Sequence, residues 1–379
     1  MKHSNEVLVD QNEVPLDGED TSNDDVAITT PFDTSKIRVE TKNTQMDALI
    51  KRINNNEINL SPEFQRQGGI WKDDAQSRLI ESMLIRIPLP AFYMDASDDD
   101  YWLIVDGLQR LTTIRRFVVD EDLVLSGLEF LTDYNGCTFS QLPRSFQRRI
   151  EETDVVLYLI QPGTPANVKF DIFRRINTGG QPLSAQEIRH ALNQGKITDI
   201  LRKLSSSDSF LLATNKSIQS KRMDDRECVL RFLAFTFNSP ENYSNDNFDL
   251  YLNNAMAYAN KLDEKKLSAY SEKFEKAMVY SYKIFGNDAF RKRYSNQSGR
   301  YPINKALFEA WSVNIGNLNT LQQEELVSKK DILKAKFTDL MRDNIEFDIA
   351  ISQGTGSVKK VRYRFAKIHD LIMETLNDI

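Results

Sequence analysis

A chain of 379 residues, 40% hydrophobic and 27% charged, has the length and composition of a globular protein with room for two domains. No apolar run is long enough to span a membrane, and the N-terminus lacks the apolar stretch typical of a signal peptide, so we expect a cytoplasmic protein without a membrane partner. The two cysteines, Cys137 and Cys228, exclude a disulfide framework or a cysteine metal cluster and fit a reducing compartment.

The net charge of −6 is concentrated in the first part of the chain. Residues 1–34 hold one lysine, Lys2, and nine acidic residues, a balance of −8, so the remaining 345 residues carry +2. Such an acidic segment with few aromatic residues predicts a disordered tail over residues 1–35. The nearly neutral remainder excludes a large DNA-coating surface but leaves room for a local basic groove.

Residues 36–196 show mixed strand and helix signals, typical of a small α/β or α+β domain. In chain order we predict a helix over 44–53, a short strand from Glu57, a loop with two glycines over 62–71, a helix running from an Asp73 or Asp74 cap to Arg86, and a β-hairpin formed by 91–95 and 101–105. The loop displays Gln65 and Arg66, which form the first polar cluster of the chain.

The second polar cluster lies where the hairpin leads into a helix. After Asp106-Gly107 the apolar period changes from that of a strand to that of a helix, which continues to residue 119. Because such a corner exposes backbone N–H groups and the positive end of the helix dipole, it suits a phosphate. Gln109, Arg110 and Thr112 add an amide, a guanidinium and a hydroxyl there. The alternative is a purely structural corner whose arginine pairs with a surface acid.

A third polar cluster follows the buried strand predicted over 154–160. The next helix displays Arg174 and Arg175 and ends at Asn177, just before two glycines. A capping box over 184–187 starts another helix. The structural alternative is a surface role for one of the arginines and a plain helix C-cap for Asn177.

From residue 197 to the end, apolar residues recur at helical spacing and strand signals are few, which predicts an all-helical second domain over 197–379. A capping-box-like start at Asp224 precedes a strongly apolar helix. Further helices are predicted over 248–261, 266–285, 303–315, 321–342 and 358–376.

Arginine is the side chain suited to bidentate phosphate contacts, so arginines from the three clusters that converge on one pocket would suit a triphosphate. In this hypothesis Asp106 holds Mg²⁺ or orients water, Gln109 donates a hydrogen bond, and Arg110 neutralises a phosphate oxygen.

The same clusters carry a family resemblance. Their motifs are Phe64-Gln-Arg66 with Trp71, Asp106-Gly-Leu-Gln-Arg110, and Phe173-Arg-Arg-Ile-Asn177 followed by Gly-Gly and Leu-Ser. In this order they resemble the ParB-like N-terminal domain family of GmrSD-type, modification-dependent restriction systems. The stretches 226–235, 304–309 and 364–368 resemble the helical continuation of single-module members, so the resemblance covers most of residues 36–379.

The resemblance implies an α+β protein, with a ParB/sulfiredoxin-like α/β domain over 36–196 followed by an all-helical domain over 197–379. It implies that the corner binds, and in some members hydrolyses, a nucleoside triphosphate with Mg²⁺, with turnover coupled to DNA restriction or phage defence. The candidate catalytic residues are Asp106, Gln109 and Arg110, with Asp106 on the metal. The candidate nucleotide-binding residues are Gln65, Arg66, Gly107, Arg110, Thr112, Arg174 and Asn177. DNA and a separate nuclease subunit are the candidate macromolecular partners.

One position departs from the family pattern, because Leu108 stands where the family has glutamine. If that amide contacts the nucleotide, affinity or turnover is lowered; if the position only fills the turn, little changes. Leu108 continues the apolar stripe of its helix, which favours the second interpretation.

Other chemistries find less support. The chain has no P-loop motif, so its nucleotide binding would be of a different kind. Its three histidines, His3, His190 and His369, form no His-Asn-His cluster, which weighs against a nuclease site of that type. Two alternatives stay open: a non-enzymatic DNA-binding or protein-docking module whose corner is a relic, and a ParB-like nuclease.

Overall fold

The computed structural model describes residues 37–60, 71–176, 183–220, 222–295 and 300–378. These residues form two compact units, of which the first ends at Leu192 and the second begins at Asn193. None of the helices within these ranges is both long and apolar enough to cross a membrane.

The first unit is built on a five-stranded mixed sheet with the strand order β1-β5-β3-β4-β2. The strands are β1 (Val39–Gln45), β2 (Ile58–Asn59), β3 (Phe92–Asp95), β4 (Trp102–Asp106) and β5 (Asp154–Ile160). β3 pairs antiparallel with β4 and parallel with β5, while β1 pairs antiparallel with β5 and β2 parallel with β4. The hairpin β3–β4 therefore occupies the middle of the sheet and brings the end of β4 beside the start of β3.

Six helices accompany this sheet in the described part of the first unit: α1 (Met46–Asn54), α2 (Asp73–Leu84), α3 (Leu108–Ile114), α4 (Arg144–Glu151), α5 (Ala166–Ile176) and α6 (Ala185–Leu192). A π-helical turn, Arg115–Val119, continues α3 without a break. The larger core contains buried residues of α1, α2, α3 and α4 and one face of the sheet, for example Ile80, Phe92 and Leu111. On the other face, α5 and α6 pack Phe173 and Ile188 into a smaller core with Val105 of β4. The period-two alternation of β4 and β5 separates these two cores.

The second unit is formed by ten helices in the described residues. They are α7 (Lys196–Ser205), α8 (Asp208–Ala213), α9 (Asp224–Phe237), α10 (Phe248–Lys261), α11 (Glu264–Phe285), α12 (Lys305–Asn317), α13 (Thr320–Ser328), α14 (Lys330–Asp343), α15 (Ile345–Ser352) and α16 (Val358–Asn377). One aromatic-rich core holds them together, with Trp311 packed against Phe285 and Phe337. Inside it, the fully buried Glu309 accepts hydrogen bonds from Arg231 and Arg364, so these buried charges are paired.

The predicted class, an α+β domain followed by helices, is confirmed. Some of the predicted helix boundaries differ from those in the structure. The residue that precedes α2 is Lys72, and Asp73 lies in the first helical turn instead of capping it. α9 begins after Met223, whose φ of 59° is left-handed, and not after an Asp224 cap. The single helix predicted over 321–342 is two helices that meet at Lys329, and α15 was not predicted.

Candidate functional site

The predicted corner is a tight turn that only glycine can make. β4 ends at Asp106, and Gly107 adopts a φ of +100° before α3 begins at Leu108. A Cβ atom on Gly107 would lie 2.4 Å from Cδ1 of Phe92 and 3.2 Å from Nη2 of Arg110. Both the backbone conformation and the space above it therefore exclude a side chain at this position.

Arg110 folds inward over this turn and is buried. Its Nη2 donates to Oδ2 of Asp106 at 2.9 Å and to the carbonyl of Ala91 at 3.2 Å, and its Nη1 donates to the carbonyl of Pro90. The guanidinium also stacks on the ring of Phe92, with Cζ 4.5 Å from the ring centroid. Arg110 thus clamps the start of α3 to the segment that enters β3, and two of its three nitrogens serve the protein itself.

Asp106 is a half-buried carboxylate in an unusual electrostatic setting. Burial raises the pKa of Asp106 above its ordinary range, although the charge of Arg110 and hydrogen bonds from Gly107 and Arg110 lower it in part. Burial likewise lowers the pKa of Arg110 despite the nearby carboxylate. For both residues the effect of burial on the pKa therefore exceeds the effect of the ion pair. A further cation beside Asp106 would stabilise its ionised form.

Tyr93 extends this setting across the hairpin. It stands opposite Asp106 in the β3–β4 register and stacks on Tyr158 with ring centroids 4.7 Å apart. Its pKa is raised by burial, by Tyr158 and by the negative charge of Asp106. The field of the carboxylate therefore reaches the neighbouring strand.

Gln109 and Thr112 lie one helical turn apart and are half-buried, in contrast to the buried positions between them. Oε1 of Gln109 accepts the backbone N–H of Trp71 at 3.2 Å, and Nε2 of Gln76 donates to the Trp71 carbonyl at 2.7 Å. Gln109 therefore ties the corner to Trp71, two residues before α2 begins at Asp73. The first hydrogen bond within α3 runs from the N–H of Leu111 to the carbonyl of Gly107, so the N–H groups that precede it have no partner inside the helix.

Leu108 is 5% exposed and belongs to the larger core. A leucine at this position therefore fills the interior below the turn, in agreement with the interpretation that it continues the apolar stripe. An amide here would be buried among apolar side chains, which costs free energy unless it finds a partner.

The remaining predicted residues are not all brought to the corner. Gln65, Arg66 and Asn177 lie outside the described residues. Arg174 is exposed in the last turn of α5, and its neighbour Phe173 shares the smaller core with Val105, the residue before Asp106. The corner thus unites Asp106, Gly107, Gln109, Arg110 and Thr112, and α5 packs beside it.

Asp106 is the carboxylate that the described residues offer to a metal at this corner. No group of three or more His, Cys, Asp or Glu side chains suited to a metal occurs in the described parts of the chain. Mg²⁺ is commonly held by one or two carboxylates plus substrate phosphates and water, and Asp106 supplies one such carboxylate. The donor set of the described residues therefore suits Mg²⁺ where phosphate oxygens and water complete its coordination.

Sequence reasoning missed the residues that shape the corner from the opposite strand: Pro90 and Ala91 as carbonyl acceptors, Phe92 as the surface under Arg110, and Tyr93 beside Asp106. The signal was available, because the predicted hairpin pairs the end of its second strand with the start of its first. The predicted hairpin brings this segment near the Asp-Gly turn, but the register shift between Tyr93 and Met94 decides which of its residues meet the turn.

A surface cavity in the second unit lies apart from these residues. It is lined by Asp246, Ser357, Val358, Lys359, Arg362 and Tyr363, over the first turn of α16. The backbone N–H of Val358 already donates to Oδ1 of Asp246 at 2.6 Å, so the protein's own carboxylate occupies the start of that helix. The Asp106 corner is therefore the better candidate for an anionic ligand.

An α+β unit whose strand–glycine–helix corner carries an Asp-Gly-x-Gln-Arg sequence corresponds to a known protein family. Residues 47–194 match the family described as GmrSD restriction endonuclease, N-terminal domain. The match spans 148 of the 379 residues, and it runs from α1 through α6 and includes the whole corner. Residues 47–194 are thus similar to an N-terminal domain of the GmrSD type, in agreement with their motifs. Comparison with curated proteins and with solved structures returned no match.

Proposed function

We propose that this protein binds a nucleoside triphosphate together with Mg²⁺ at the Asp106 corner and acts in DNA restriction or phage defence. The observation that carries the nucleotide site is the half-buried Asp106 carboxylate, which is fixed beside the first N–H groups of α3. The family of residues 47–194, which is named for a restriction endonuclease, supports the biological role.

The chemistry assigned to each residue follows from its position. Asp106 would hold Mg²⁺, which neutralises charge on the β- and γ-phosphates when it is bound. Gln109 and Thr112, half-buried on one side of the helix, would donate hydrogen bonds to phosphate oxygens or to an attacking water. Gly107 allows the left-handed turn that places Asp106 beside the first N–H groups of α3. Arg174, in the last turn of α5, would add a positive charge from the side.

Arg110 takes a different role from the phosphate contact suggested by its sequence. Since its Nη atoms bond to Pro90, Ala91 and Asp106, it would act through Asp106 by fixing the carboxylate in place. We therefore treat it as a positioning residue. Its replacement should affect nucleotide binding mainly when Mg²⁺ is present, because a direct phosphate contact would act with and without the metal.

Calorimetric titration of ATP, GTP and CTP tests the nucleotide site, with phosphate release measured in parallel. Asp106→Asn, which keeps the shape of the side chain, should weaken binding of the preferred Mg²⁺–nucleotide at least about tenfold, since a charge-assisted contact contributes about 1.5–3 kcal/mol. Arg110→Ala should weaken the Mg²⁺-dependent binding and leave the metal-free binding nearly unchanged.

A matched control lies at the end of the same helical segment. Asp120 pairs with Nε of Arg115 at 3.0 Å, much as Asp106 pairs with Arg110, and Asp120→Asn should leave nucleotide affinity unchanged. If the wild-type chain binds none of the three nucleotides, or if Asp106→Asn binds them with equal affinity, the proposed site is wrong. The role in defence predicts that cells expressing the wild-type chain with its neighbouring genes lower phage plating at least about tenfold more than cells with Asp106→Asn.

A second candidate is a non-enzymatic module in which the corner is structural. The internal hydrogen bonds of Arg110 favour it, because an arginine used by the fold has fewer donors for a ligand. This candidate predicts no nucleotide binding, and it predicts that Arg110→Ala lowers the stability of the first unit without any effect on partner binding.

A further inference from the structure

The connection between α11 and α12 in the second unit is strongly basic. It carries Arg291-Lys292-Arg293 in succession and Arg300 shortly after. The four residues 296–299 lie outside the described residues and are uncharged in sequence. Residues 286–300 therefore contain four cations and the single acid Asp288. This excess of positive charge contrasts with the nearly neutral remainder of the chain.

Arg291 is the internal brace of this connection. It is 3% exposed, and its Nη1 donates to the carbonyl of Tyr301 at 2.5 Å while its Nη2 donates to Oγ of Ser217 at 2.7 Å. Nε bonds to the carbonyl of Asn287 at 3.2 Å, and the Arg291 backbone forms a β-bridge with Ile303. Arg291 therefore ties the described residues on both sides of 296–299 to one another and to Ser217.

Two arginines of the connection, Arg293 and Arg300, lie beside Asp288, and Lys334 of α14 is near enough to interact with Arg293 and Asp288. Nη1 of Arg293 and Nε of Arg300 lie 3.6 and 3.5 Å from the two carboxylate oxygens of Asp288. These separations exceed the 2.7–2.9 Å typical of a charge-assisted hydrogen bond, so one acid is shared loosely by two arginines. Lys330 and Lys334 lie one turn apart on α14, where both are half-buried.

The electrostatics of the region agree with an excess of positive charge. The pKa of Arg291 is lowered to about 10 by burial and by the nearby charge of Arg300. The pKa of Lys334 is lowered by burial and also by Lys330 and Arg293, while Asp331 and Asp288 act in the opposite direction. The cations on both elements therefore share one positive field.

We propose that the surface formed by Arg293, Arg300, Lys330 and Lys334 binds the phosphate backbone of duplex DNA. Arginines and lysines that exceed their local acids match the requirement for backbone contacts, which position a protein on DNA without reading its sequence. The choice of DNA as the polyanion rests on the proposed role in restriction, while the surface itself is independent of the nucleotide corner. The near-neutral body of the chain makes this a local patch and not a coating surface.

Fluorescence anisotropy of a labelled 30-base-pair duplex tests the surface in the full chain without nucleotide. The double variant Arg293→Ala, Arg300→Ala should bind the duplex at least about tenfold more weakly at 0.1 M salt. Its slope of log affinity against log salt should also fall in magnitude by about two, because roughly 0.9 counterions are released per neutralised phosphate. The charge-conserving variant Arg293→Lys, Arg300→Lys should keep most of the affinity and the wild-type slope.

The matched control removes two charges elsewhere on the same unit. Lys266 and Arg342 are well exposed, with side chains 65% and 57% accessible, and each pairs with acids on its own helix or cap. Lys266→Ala, Arg342→Ala should leave affinity and slope unchanged. An equal loss of affinity in both double variants would mean that only net charge matters and would overturn the proposed surface. Wild-type binding of single-stranded RNA but not of duplex DNA would overturn it as well. Failure of the nucleotide site would leave this result unaffected, because no nucleotide is present.

Discussion

Replacement of Gly107 by alanine tests whether the corner is as constrained as its geometry indicates. A residue other than glycine at a φ of +100° costs about 1–2 kcal/mol in backbone strain. The new Cβ would also lie 2.4 Å from Phe92, a fully buried ring that supports Arg110, and displacing such a ring costs about 1–3 kcal/mol more. We expect Gly107→Ala to lower the free energy of unfolding of the first unit by about 2–5 kcal/mol.

Gly136 supplies the control, because its φ of +87° is similar and an added Cβ would meet nothing within 4 Å. Gly136→Ala should therefore cost only the backbone strain, about 1–2 kcal/mol. Urea unfolding followed by tryptophan fluorescence measures both variants, and hydrogen exchange of a peptide spanning residues 102–117 assigns the loss to the corner. If the two variants lose the same stability, Phe92 yields freely and the reasoning about a closed corner fails.

Three further results are expected. Glu81 is buried, and although burial raises its pKa, hydrogen bonds from the backbone N–H groups of residues 129–131 lower it overall. Ionised Glu81 therefore stabilises the fold fully at a pH above its ordinary pKa of 4.5, and this stabilisation is lost as the pH falls through the lowered pKa. Glu81→Gln should reduce the loss of stability at acid pH, as measured by urea unfolding at several pH values. An unchanged loss of stability at acid pH would contradict this. Glu309→Gln removes the negative charge that two buried arginines share, so it should lower the free energy of unfolding by about 3–5 kcal/mol, as measured by thermal unfolding. A loss under about 1 kcal/mol would contradict the stabilising role of this network. Burial raises the pKa of Asp106, and the proposed metal contact needs its ionised form. Calorimetric Mg²⁺–nucleotide affinity should therefore begin to fall at a higher pH than for an ordinary aspartate, and Asp106→Asn should abolish that dependence.

Much of the fold of the first unit can be predicted from its sequence, because short apolar runs and a glycine turn determine the local backbone structure. The runs around residues 91–95 and 101–105 predict the hairpin, and the change of period after Asp106-Gly107 predicts the helix and the burial of Leu108. These features depend on neighbours in the chain, which the sequence displays directly.

The inward turn of Arg110 could not be predicted in the same way. Helical spacing treats a charged residue as solvent-facing, whereas its acceptors at Pro90 and Ala91 come from the segment that enters β3. The register shift between Tyr93 and Met94 decides which groups meet the guanidinium. The break at Lys329 escaped prediction for a related reason, since neither glycine nor proline marks it and packing of two separate helices sets it.

The bond from Gln109 to the backbone of Trp71 has a practical consequence. Trp71 is 37% exposed, so its indole senses solvent, and its amide is fastened to the side chain that would meet a ligand at the turn. Reorientation of Gln109 would move or break its hydrogen bond to the Trp71 backbone, and the fluorescence emission of Trp71 would shift as a result. Binding at the proposed nucleotide site would therefore be expected to change the fluorescence emission of Trp71.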